Sequence, residues 1–110
     1  MNKYIEINVS HDFTDAPGAR NPQDGPDSGE VFYNRLLLPK FEEALKTKSI
    51  LLVDMDGTFG YATSFISESF GSLSMKFGPE LVLKNIKIKS DEDDGLKTYI
   101  KSTIKNPEKA

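Results

Sequence analysis

The chain has 110 residues with 17 acidic and 14 basic side chains, no Cys and a single His, for a net charge of −3. That inventory excludes disulfides, thiolate nucleophiles and zinc sites built on Cys or several His, and an acidic balance offers no field to hold nucleic acid. Leu, Ile, Val and Phe supply 29 residues, above the roughly 20% below which chains drift toward disorder, so one folded domain over residues 1–110 is expected.

The amino end carries Glu6 and Asn8 where a secretory signal needs an unbroken apolar run, and no window approaches the ~18 apolar residues of a membrane span. A cytoplasmic protein without a membrane partner is the expectation. Residues 4–9, Tyr-Ile-Glu-Ile-Asn-Val, alternate in part and read as a half-buried strand. From residue 15 to 29 three Pro and three Gly accompany three Asp, with no aromatic and no open-chain aliphatic residue larger than Ala, the composition of a long loop. Asp27 followed by Glu30 has the form of a capping box, opening a helix through Val31, Phe32 and Leu36–Leu38. Pro39 should bend or restart that helix, which the spacing of Leu38, Phe41 and Leu45 carries on to about Lys48.

Ile50-Leu51-Leu52-Val53, closed by Asp54, is the pattern of a central strand covered on both faces. Ile66, Phe70, Leu73 and Phe77 keep helical spacing until Gly78-Pro79 stops them. Leu81–Leu83 followed by Ile86–Lys89 reads as a further strand. Asp91 to Asp94 supply an acidic start for a last helix, with Leu96, Ile100 and Ile104 on one line and Lys97, Lys101 and Lys105 on a solvated one. Residues 106–110 form a tail. The sum is an α/β domain with right-handed crossovers.

Two segments carry candidate chemistry. Leu51-Leu52-Val53-Asp54-Met55-Asp56-Gly57-Thr58 resembles the first motif of haloacid dehalogenase-type phosphotransferases. That resemblance implies a nucleophile at Asp54, an acid/base at Asp56 and Mg²⁺ between them. The bare residues also fit a simpler reading, a strand end followed by an Asp-Gly turn, and only 52 residues remain downstream for the rest of such a site. The second segment, Gly60 to Phe65, precedes the amphipathic helix, and a Thr or Ser there is a natural N-cap. A phosphate on the same hydroxyl would sit in the positive field of the helix start and add about −1.5 to −2 of charge.

Taken in order, the first strand, Phe13, a Pro/Gly loop with Gly18 and Arg20, Ser28-Gly29-Glu30-Val31-Phe32, Leu38-Pro39, the strand 50–54 and Thr63-Ser64-Phe65-Ile66-Ser67-Glu68-Ser69-Phe70-Gly71 resemble the STAS-like domain family of unknown function, over residues 4 to about 90. The resemblance implies a small STAS-like sandwich: a mixed or mostly parallel sheet of three to four strands with helices packed against it. A short extra strand near Asp12–Thr14 would supply the fourth. It further implies a non-catalytic regulatory module, needing no cofactor, that binds a protein partner such as a histidine-kinase-like ATPase. The phosphorylated serine of related anti-sigma-factor antagonists falls at Thr63 and Ser64, with Ala62 in place of the preceding Asp and Phe65 in place of the following Gly. Tyr61, Phe65 and Glu68 then form the expected interaction surface.

Overall fold

A computed structural model describes residues 3–17 and 27–107. Its described strands are β1 (Tyr4–Asn8), β2 (Ile50–Asp54) and β3 (Ile86–Lys89), all parallel, in the order β1-β2-β3. The fold is therefore α/β, with β2 in the centre as its apolar run requires. Between them lie α1 (Val9–Asp12), α2 (Gly29–Phe32), α3 (Leu38–Thr47), α4 (Thr63–Ile66), α5 (Ser72–Phe77) and α6 (Pro79–Asn85), and α7 (Asp94–Lys105) follows β3.

Two π-helical turns, Tyr33–Leu37 and Ser67–Gly71, join α2 to α3 and α4 to α5. Residues 29–47 and 63–77 are thus continuous helical runs. The sequence leads one to expect a bent or restarted helix at Pro39, and α3 begins at Leu38 with Pro39 in its first turn, directly after the wider π turn. A proline ring collides with the carbonyl four residues back, here that of Arg35, and the π-wound backbone of Tyr33–Leu37 moves that carbonyl away. The first run ends at Lys48, which adopts the left-handed conformation with φ 56°, a position where glycine is usual.

Several local expectations change. Ser28 caps α2, its hydroxyl accepting from the Val31 amide at 3.2 Å, whereas the Asp27 carboxylate accepts from Thr14 Oγ1 at 3.1 Å. Residues 81–83 lie in α6 because Gly78 (φ 91°) and Pro79 end one helix and begin the next, so the strand starts only at Ile86. No strand forms at Asp12–Thr14: Asn8 Oδ1 accepts from the His11 amide at 3.1 Å and turns the chain into α1. Val9 belongs to that helix. The expected loop shrinks at its far end, where Gly29 is already helical, and residues 18–26 lie outside the described ones, as do 108–110 of the tail.

Two same-direction parallel connections of right-handed sense put their helices over one face of a sheet. The buried residues follow that rule. Ile7, Leu51, Val53 and Ile88 face Phe32, Leu37, Phe41, Phe65, Phe70 and Ile100 in one core, while the alternate residues Tyr4, Glu6, Lys87 and Lys89 are exposed and Leu52 is half-exposed. The central strand, expected to be covered twice, is covered by helices once.

Candidate functional site

In parallel sheets the strand C-terminal ends are where side chains converge, and here Asn8, Asp54 and Lys89 share one register row at that end. The row fixes an ion cluster. Lys89 Nζ lies 2.9 Å from Asp56 Oδ2, 3.1 Å from Asp91 Oδ2 and 3.8 Å from Asp54 Oδ2. Asp56 Oδ2 also accepts from the Asp91 amide at 3.1 Å, and Oδ1 from the Glu92 amide at 2.9 Å. Burial alone would raise the Asp56 pKa, but the Glu92 amide, the Lys89 ammonium and the Asp91 amide together hold it below the ordinary carboxylate range.

Those bonds give Asp56 a structural task. Its two oxygens tie the turn after β2 to the turn after β3, and Asp54 Oδ1 accepts from the Asp56 amide at 3.0 Å. Gly57 has φ 91°, its amide donates to Glu92 Oε1 at 2.8 Å, and a Cβ there would lie 2.6 Å from Ser10 Oγ. The Asp-Met-Asp-Gly stretch is thereby accounted for as a strand end and a braced turn. Among the described residues, no three acidic or His side chains are grouped to hold a metal ion.

The chain then runs through residues 55–62 to α4. Tyr61 is half-buried, donates its hydroxyl to the Met55 carbonyl at 2.9 Å and packs on Phe65, ring centroids 5.7 Å apart. Burial pushes the Tyr61 pKa up to about 12. Thr63 and Ser64 stand at the first helical positions beyond the central strand. Neither caps the helix, because the N-cap position falls on Ala62, which offers no side-chain acceptor. Thr63 is exposed and Ser64 half-exposed.

Phe65 points inward and is 0% exposed, stacked 5.4 Å from Phe32, so Tyr61 and Glu68 are the half-exposed members of the expected trio. Glu68 sits in the π turn, with an oxygen 3.4 Å from the donating Ser72 hydroxyl. The sequence reading passes over Phe59, which is 88% exposed at the tip of the loop, held there by its amide on the Asp15 carbonyl at 2.8 Å. Phe59 and Tyr61 line a shallow hollow with Met55, Leu96, Glu92 and Asp93. A lone Phe in a glycine-flanked loop has no periodic signature; its exposure is visible only in three dimensions. Gly18 and Arg20 lie outside the described residues.

The arrangement defines a small α/β module whose exposed corner joins the sheet's C-terminal edge to a helix start. The chain belongs to the family of STAS-like domains of unknown function, DUF4325, whose model matches residues 28–96. The match begins at the Ser28 cap and ends inside α7, so it spans the whole segment from the first long helical run through β2, α4 and β3. No curated protein and no solved structure matches the chain. The family supports a regulatory or interaction module and gives no support to a phosphotransferase. Among the described residues no helix is long and apolar enough to cross a membrane.

Proposed function

We propose that this chain is a non-catalytic regulatory module that grips a protein partner through the corner formed by Phe59, Tyr61 and the start of α4. The observation that carries this reading is the 88% exposure of Phe59 beside two solvent-reaching hydroxyls, Thr63 and Ser64. A large aromatic ring held out in water by a pinned backbone costs hydration free energy that a partner's pocket recovers, and such aromatic anchors dominate interface energetics. The STAS-like family supports an interaction role. A histidine-kinase-like ATPase is the proposed partner, and Thr63 or Ser64 the proposed phosphate acceptor. A phosphate there would meet the positive end of the 63–77 helical run and change the charge of the corner that the partner contacts.

The test mixes the chain with a histidine-kinase-like ATPase, with and without ATP. Intact-mass measurement should show one added phosphate, absent from the Thr63→Ala/Ser64→Ala double variant. Phe59→Ala should weaken the complex by about tenfold or more, as expected for an anchor residue. Binding with unmodified hydroxyls would leave docking and remove the switch, whereas wild-type affinity in Phe59→Ala would remove the corner itself.

A further inference from the structure

The sheet face turned away from the helices presents three register rows. Tyr4 pairs with Ile50, Glu6 with Leu52 and Lys87, and Asn8 with Asp54 and Lys89. Tyr4 is 51% exposed, and Ile50 and Leu52 are half-exposed between flanking charges. Parallel sheets bury both faces as a rule, and the unbroken apolar run of β2 is composed for burial on both. The described helices cover only one face.

We propose that a second copy of this chain covers the other, its sheet stacked on this one about a two-fold axis running along β2. The charges select both the occupant and the axis. Glu6 and Lys87 lie in the same row on opposite sides of Leu52, both are exposed, and no ion pair among the described residues engages either of them. Rotation about the strand direction exchanges β1 with β3, so Leu52 meets Leu52 while each Glu6 meets the Lys87 of the other copy. Rotation about an axis across the strands would instead bring Glu6 onto Glu6 and Lys87 onto Lys87, which like-charge repulsion disfavours. Sheets stack about 10 Å apart, a gap that a Glu and a Lys side chain span together. At the rim Asp54 turns toward its counterpart, and there each carboxylate keeps its own Lys89 ammonium 3.8 Å away. Three short strands offer a small area beside the roughly 800 Å² per partner of a stable complex, so the association is reversible and grows with concentration.

Sedimentation equilibrium of the full chain over a wide concentration range tests this. Wild type should pass from monomer to dimer, and Glu6→Lys and Lys87→Glu should each weaken dimerisation by about tenfold or more. An equimolar mixture of the two variants should form a heterodimer, because one copy then presents Lys at both positions and the other Glu. Both substitutions lie on an exposed face, and an unchanged circular dichroism spectrum verifies folding. A wild-type chain that stays monomeric overturns the proposal, as does a dimer indifferent to both variants or a mixture that does not associate. Neither residue belongs to the corner around Phe59, so a failure here is separable from a failure of partner docking.

Discussion

Asp56 braces two turns at once, its carboxylate taking the Lys89 ammonium and the amides of Asp91 and Glu92. The spacing Asp54-Met55-Asp56-Gly57 is shared by a phosphotransferase strand end and by an ordinary turn, and nothing within four residues separates them. What separates them is Lys89 with the amides of Asp91 and Glu92, brought to Asp56 because β3 pairs parallel to β2 with Asp54 opposite Lys89. Asp56→Asn should therefore lower stability near neutral pH by about 1–2 kcal/mol, the size of hydrogen bonds to a charged group reduced for partial solvent access. The sign of its pH dependence follows from the lowered pKa. The contribution of Asp56 is complete above the ordinary carboxyl range near about pH 4 and disappears as pH falls through the lower folded value. Urea midpoints of wild type and variant should differ most above that range and converge in acid.

Helix identity was legible in the 66–77 and 94–105 segments, where apolar spacing and a stop or start signal agree. It was not legible at 81–83, because three apolar residues fit a strand as well as one turn of a helix and only the Gly78-Pro79 restart decides. The π turns were equally hidden. The two long helical runs pack against each other, Phe32 on Phe65, and Gly29 lies at a tight contact between them. A Cβ there would stand 2.6 Å from the Phe65 carbonyl oxygen and 3.1 Å from both Phe65 Cα and Glu68 Cβ. Two of these three atoms are backbone and cannot swing aside, so Gly29→Ala should cost about 1–3 kcal/mol despite the higher helix propensity of Ala. Gly71→Ala is the matched control. Its nearest neighbour, Thr103 Cγ2, would be 3.6 Å away, and the propensity gain of up to about 1 kcal/mol should then show as added stability in the same denaturation experiment. The Gly29 contact also gives physical content to the Ser-Gly-Glu and Ser-Phe pairing by which the family resemblance is recognised: cap, close approach and core plug meet at one point.

At the scale of the molecule, composition and patterning were enough for the α/β class and a central β2, whereas the helix start at residue 63 was indicated by the family resemblance. The sheet's single covered face was not readable, since alternation in β1 and β3 says that one face is wet while the run in β2 says that both are dry. That conflict is itself the signal exploited in the stacking proposal. The corner around Phe59 depends likewise on assembled structure, its loop being anchored to Asp15 from a distant part of the chain.

Every pairing in the sheet joins residues far apart in the chain, Tyr4 to Ile50 and Leu51 to Ile86, with no hairpin among them. Chain closure of that kind is slow, whereas helices need only their neighbours. A nascent chain must therefore keep its first strand waiting until residues 50–54 exist, with the helical run of residues 29–47 already formed beside an unfinished sheet. Pulse-labelled hydrogen exchange during refolding should accordingly protect amides of residues 63–77 before those of Tyr4–Asn8.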